Sequence, residues 1–232
     1  MDRRLTTFAN REAASKAVAA YAAQALAADI SATGRASIFV SGGSTPKQAF
    51  EILSDAPLNW SKVVAGLVDE RWVPPDDAES NERLVRRHLL KSHAGAAGLL
   101  PMWTPSDDAG LAAAERDFAY RPHCASPAFV LLGMGTDGHT ASWFPGMPVL
   151  DALLSPDNGR CVMAVEATGA VVPHRLTLTG HAVRGAKHAA LLIFGREKRE
   201  VLEAAMTSDA RTHPVRFAID SLGGRLRIMW AE

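Results

Sequence analysis

A surplus of charge is the first thing this chain lacks. Its 25 Lys and Arg residues are matched by 25 Asp and Glu, for a formal net charge of +0 over 232 residues. A dedicated nucleic-acid binder neutralises phosphates with an excess of Lys and Arg, so the neutral balance argues against that class, although it does not exclude a local anion pocket. Cysteine is nearly absent: Cys124 and Cys161 form no disulfide framework and no zinc spacing, which fits a reducing, cytoplasmic setting. No run approaches the roughly 18 apolar residues of a membrane span. The Ala-rich stretch from Ala17 to Ala28 holds Gln24 and follows Arg11, Glu12 and Lys16, so it reads as a helix rather than a signal core. Also missing are an H-E-x-x-H or Cys/His metal pattern and an acidic cluster, so no metal is expected. A G-x-S-x-G elbow is absent too, which argues against a serine hydrolase. What remains is 47% hydrophobic and 22% charged, the composition of an ordinary globular protein, and one domain over 1–232 is expected.

The pattern along the chain is alternation. Helical stretches at 10–29, 47–53, 80–91, 108–120, 196–206 and 214–221 separate short apolar runs at 37–40, 63–68, 128–132, 160–165, 175–179, 189–194 and 226–230. Continuous apolar strands between helices predict a mostly parallel, Rossmann-like open sheet in a three-layer α/β/α sandwich. The ligand site of such a sheet lies at the carboxyl ends of its strands. The Pro/Gly-rich stretch at 144–159 is expected to be an active-site flap.

Three strand-end loops carry the chemistry. After the first apolar run, Ser41-Gly42-Gly43-Ser44-Thr45-Pro46 combines two glycines with three hydroxyls before a helix. Such a start offers free N–H groups and a positive dipole end to a phosphate, with Ser44 or Thr45 as cap and Pro46 at the first helical position. A capped turn that binds nothing is the blander alternative. After the second run, Asp69-Glu70-Arg71 places three charges beside a buried strand end, where each is costly unless paired or used. Arg71 suits an anionic or carbonyl oxygen; a structural Asp–Arg pair closing the loop fits the residues equally well. After the third, Gly133-Met134-Gly135-Thr136-Asp137-Gly138-His139 satisfies G-x-G-x-x-G, yet Phe144-Pro145-Gly146 stops any helix, so a dinucleotide fold is rejected. The chemistry there belongs to Asp137 and His139, a carboxylate placed to hold an imidazole tautomer. His174, His181 and His188 cross from loop to helix to strand and read as structural. Arg175 and Lys198 are candidate phosphate ligands, though each alone is more often surface charge.

Taken in order, Ser41 to Pro46, Asp69-Glu70-Arg71 with Val73-Pro74 and Ser80-Asn81, Gly133 to Ser142 with Phe144-Pro145, Arg175 to Thr179, and Gly195 to Lys198 resemble the 6-phosphogluconolactonase family. The resemblance spans about 37–230. It implies hydrolysis of 6-phospho-D-glucono-1,5-lactone in the oxidative pentose phosphate pathway, without metal or organic cofactor. His139 would serve as base, Asp137 as its orienter and Arg71 as the oxyanion donor. Gly42, Gly43, Ser44, Thr45, Arg175 and Lys198 would hold the phosphate, and Asp69 would position Arg71 or a sugar hydroxyl.

Glucosamine-6-phosphate deaminases are the competing relatives. They carry a Glu after the His, where this chain reads Ser142-Trp143-Phe144-Pro145, and usually Tyr in place of Arg71. Sugar-phosphate sensing domains of transcription regulators are the non-enzymatic alternative. The 36 residues before the first run are expected to supply one helix and no DNA reader. The expected partner is a small phosphosugar lactone, with no nucleic acid and no membrane, bound by a monomer or small homo-oligomer.

Overall fold

The computed structural model describes residues 4–232. Strand β1 (Leu5–Thr7) leads into helix α1 (Arg11–Thr33), whose limits are written in its caps. Asn10 accepts the Ala13 N–H at 2.8 Å, and Gly34 ends the helix in the left-handed conformation (φ 80°) with its own N–H on Ile30. Small buried residues on one face, Ala14, Ala22 and Ala25 among them, let this helix lie close against the sheet.

The chain continues through β2 (Ala36–Val40), α2 (Lys47–Ser54), β3 (Val63–Leu67), β4 (Asp69–Arg71), α3 (Asn81–His88), β5 (Gly98–Leu100), α4 (Ala109–Cys124) and β6 (Phe129–Leu132). After these come α5 (Leu150–Leu154), β7 (Val162–Glu166), β8 (His174–Leu178), α6 (Gly180–Arg184), β9 (His188–Phe194), α7 (Arg196–Ala205), α8 (Val215–Leu222) and β10 (Leu226–Ala231). Seven strands form one parallel sheet in the order β1-β10-β9-β6-β2-β3-β5. Every residue of β2 and β6 is buried, as expected of strands covered on both faces. The helices on the two faces complete the expected α/β/α sandwich. Connections from β2 run outward to β3 and β5, and the chain then returns to β6 on the other side of β2. The direction of winding therefore reverses between β2 and β6, which is where an open sheet of this kind leaves a crevice.

Four expectations need correction. Residues 69–71 are a strand rather than a loop: β4 pairs antiparallel with β8, and β8 with β7, in a second sheet. Charged residues can form this buried strand because their partners arrive from elsewhere in the chain. Val68 links the two sheets, donating to Val40 O at 3.0 Å and accepting from Leu178 at 2.7 Å. The stretch 144–159 is not a flap, since it contains α5, buries Leu150 and Leu153, and lines none of the main pocket. Pro46 occupies the N-cap of α2 itself, and neither Ser44 nor Thr45 caps it. Finally, His174 opens β8 instead of lying in a loop.

Candidate active site

Site geometry follows from what each strand delivers at its carboxyl end. Beyond β2, Gly43 adopts φ 86°, a conformation suited to glycine, and Gly42 approaches Asn81 so closely that a Cβ would lie 1.8 Å from Asn81 Oδ1. Ser44 and Thr45, released from capping, line a pocket of about 260 Å³ together with Gly42 and Gly43. The uncapped start of α2 keeps the arrangement of N–H groups and hydroxyls that suits a phosphate.

Alternation along β4 directs Asp69 and Arg71 into the same pocket and Glu70 away from it. Asp69 is buried at 6% exposure and accepts a hydrogen bond from the Ser142 hydroxyl at 2.7 Å. Its ionic partner is Arg175 on β8, with Nη1 3.8 Å from Oδ2. The Asp69–Arg71 pair considered from the sequence does not form. Arg71 instead donates through Nη1 to the Glu79 carbonyl at 2.5 Å and faces the Glu79 carboxylate at 3.7 Å. Its Nε is buried without a partner.

Arg175 lies directly across the ladder from Arg71 and packs its guanidinium over the Phe144 ring at 5.4 Å. Burial lowers the Arg175 pKa; Asp69 pulls it up, and Arg71 pushes it down again.

The loop after β6 turns tightly, with the Gly135 N–H on His139 O at 2.9 Å and the Gly138 N–H on Gly135 O at 3.1 Å. This turn places His139 Nδ1 2.6 Å from Asp137 Oδ1, and the same oxygen accepts the His139 backbone N–H at 3.0 Å. Burial alone would raise the Asp137 pKa, yet the hydrogen bonds from the His139 ring and backbone outweigh it and bring the carboxyl below its usual value. A Cβ on Gly135 would stand 2.2 Å from Nδ1, so glycine there makes room for the ring. Phe144 supports the imidazole from another side, its ring centroid 4.4 Å away. With Nδ1 engaged by a carboxylate, Nε2 is the nitrogen left for substrate.

Gly195 (φ 88°) begins α7, and Lys198 in its first turn lines the pocket, its pKa lowered by burial. All ten residues named from the sequence thus meet the pocket or, for Asp137, hold a residue that does. Sequence reasoning gave no role to Asn81 or Thr140, which also line it, nor to Ser142 and Phe144, which brace Asp69 and His139. The one available signal was Ser80-Asn81, a helix start nine residues beyond the charged strand end. Among the described residues no group of three or more His, Cys, Asp or Glu is arranged to hold a metal ion, and no helix is long and apolar enough to cross a membrane.

The chain is similar to known proteins over nearly its whole length. The family model described as glucosamine-6-phosphate isomerases/6-phosphogluconolactonase matches residues 9–230. A 6-phosphogluconolactonase of Rhizobium meliloti (strain 1021) is 43% identical over 232 residues, covering 100% of both chains. One from Xylella fastidiosa (strain Temecula1) is 42% identical over 207 residues, covering 87% of this chain and 85% of its own. The crystal structure of a 6-phosphogluconolactonase from Shewanella baltica OS155 superposes with a TM-score of 0.95 at 32% identity, covering 100% of this chain and 98% of the other.

Proposed function

Because the chain belongs to the glucosamine-6-phosphate isomerase/6-phosphogluconolactonase family, we propose that it hydrolyses 6-phospho-D-glucono-1,5-lactone to 6-phospho-D-gluconate. The observation that carries this reading is the 2.6 Å contact between Asp137 and His139 at the edge of a pocket that also holds Arg71, Arg175 and Lys198. One end of such a pocket suits a phosphate and the other a reacting carbonyl.

In the mechanism proposed here, His139 Nε2 takes a proton from water as the oxygen attacks C1 of the lactone. Asp137 fixes the tautomer with Nδ1–H and stabilises the imidazolium that results. Base assistance of this kind is worth about 10²–10⁴ in rate. Arg71 receives the negative charge that develops on the carbonyl oxygen, a role in which one lost donor costs roughly 10²–10³. The tetrahedral intermediate then collapses, the C1–O5 bond breaks, and the proton on Nε2 passes to the departing ring oxygen.

Gly42 to Thr45, Arg175 and Lys198 hold the 6-phosphate, and fixing that end orients the carbonyl at the other. Asp69, tied to Ser142 and Arg175 and away from Arg71, is assigned to a sugar hydroxyl. Neither cofactor nor metal enters any step. The single domain 1–232, acting as a monomer or small homo-oligomer in the cytoplasm, completes the proposal; the two free thiols suit that compartment.

Deamination is disfavoured by the position that follows His139. Among the described residues Asp137 is the one carboxylate hydrogen-bonded to the imidazole, and Trp143 is buried with its indole N–H on Leu178 O at 2.8 Å. Assays of purified protein on the lactone and on glucosamine-6-phosphate test the proposal. Lactone loss above the spontaneous rate, without deamination, supports it; deamination without lactone hydrolysis overturns it.

A further inference from the structure

Glu70 is the charged residue of β4 that the mechanism leaves without a task. It is 1% exposed and points away from the pocket, yet its carboxylate is saturated with donors. Oε1 accepts the backbone N–H groups of Arg71 at 2.8 Å and Asn81 at 2.7 Å. Oε2 accepts the Glu82 N–H at 2.7 Å and the Ser80 hydroxyl at 3.0 Å. Two of these donors are orphan N–H groups of the first turn of α3, where a negative charge is favoured. Burial pushes the Glu70 carboxyl up to about 7 against the pull of its four donors. Four donors converging on one buried carboxylate fix it in place, and its purpose is read from what those donors belong to.

The connections identify that purpose. Glu70 fixes Arg71 directly through its N–H, and it anchors the segment 80–82, which follows immediately on Glu79. The Glu79 carbonyl is the oxygen on which the Arg71 guanidinium rests at 2.5 Å. Backbone and side-chain head of Arg71 are therefore both referred to one carboxylate. We propose that Glu70 is the positioning residue of the site, the buried clasp that aims the Arg71 guanidinium at the reacting carbonyl. This inference rests on the lactonase reading for its effect on rate, but the clasp itself is independent of substrate.

Glu70→Gln tests it, because the amide keeps the shape while turning an NH2 group towards N–H donors. Misplacing a binding group by about 1 Å can cost on the order of 10² in rate, so a 10- to 100-fold loss of kcat is expected. If the loss acts through Arg71, it is not additive: Glu70→Gln/Arg71→Ala falls within about threefold of Arg71→Ala alone. Near-full kcat in Glu70→Gln, or a double variant lower by the full product of the two single losses, overturns the proposal.

Amide hydrogen exchange reads the clasp without any turnover. Arg71, Asn81 and Glu82 N–H groups, protected in the wild type, exchange at least tenfold faster in Glu70→Gln; unchanged protection overturns the proposal. A wild type inactive on the lactone would sink the functional reading and leave this exchange result to decide the clasp. If Glu70→Gln does not accumulate as folded protein, Ser80→Ala, which removes the hydroxyl on Oε2 and with it the α3 cap on the Arg83 N–H, carries the same comparisons with a smaller expected loss of about threefold.

Discussion

Arg71 and Arg175 face each other as directly paired residues across the β4–β8 ladder, and both line the same pocket. Like charges in that relationship destabilise a sheet, and here each has a counter-charge, Asp69 at 3.8 Å from Arg175 and the Glu79 carboxylate at 3.7 Å from Arg71. An anionic ligand with a phosphate at one end and a carboxylate at the other would add its charge to the two cations from the pocket side. The product, 6-phosphogluconate, at about 100 times its Kd should therefore stabilise the protein by about 2.7 kcal/mol. That corresponds to a rise in Tm of roughly 5–10 °C for a chain of this size. A thermal melt with and without product checks this, and a shift retained in full by Arg175→Ala would contradict it.

The dyad makes a prediction about an atom that is absent. Gly135→Ala would place a Cβ 2.2 Å from His139 Nδ1 and 2.6 Å from Asp137 Oδ1. The backbone there needs no positive φ and the dyad is partly exposed, so the imidazole can swing out and the fold is expected to survive. Its kcat should fall at least as far as that of Asp137→Asn, on the order of 10²-fold, with a Tm within about 2 °C of wild type. An active Gly135→Ala enzyme would show that the contact is not needed.

The two cations assigned to phosphate should affect binding of one substrate class. Arg175→Ala and Lys198→Ala are each expected to raise KM for the phosphorylated lactone by tenfold or more. The unphosphorylated lactone should be turned over as before, so that discrimination between the two is lost. Arg175→Ala that preserves this discrimination would remove Arg175 from the phosphate site.

Glu70 predicts a pH dependence of stability. Its folded-state pKa of about 7 lies above the ordinary carboxylate value of 4.5. Its contribution to stability is thus full below about pH 4.5 and is lost as pH rises through about 7, by up to about 3 kcal/mol. Urea denaturation at pH 5 and pH 8 should show the wild type losing stability over this interval relative to Glu70→Gln, whatever the absolute stability of the variant. Equal changes in the two proteins would contradict the assignment.

Much of this molecule was legible in its sequence for a physical reason. Strands such as β2, β6 and β9 are buried on both faces, so they print as unbroken apolar runs. The glycines and hydroxyls that follow β2 and β6 mark strand ends where backbone must approach a ligand. Strand β4 was illegible because Asp69, Glu70 and Arg71 look like a solvated loop; the partners that make them a strand are Ser80 to Glu82, Ser142 and Arg175. The Asp69–Arg71 pair was the natural local guess, and the structure replaces it with Arg175 from the neighbouring strand. Strands β1 and β5 span three residues each and helices α5 and α6 five, too few for either periodicity to show. Glu70 gives the same lesson for the site, since nothing around it in sequence shows that four donors converge on its carboxylate.

The central claim is that His139, held by Asp137, is the base of a lactonase. It is tested most directly by following 6-phosphogluconolactone consumption with wild-type protein and His139→Ala against the uncatalysed rate. The account predicts hydrolysis well above background for the wild type and a loss of about 10²–10⁴-fold, to near the spontaneous rate, in the variant. Near-full activity in His139→Ala would contradict it.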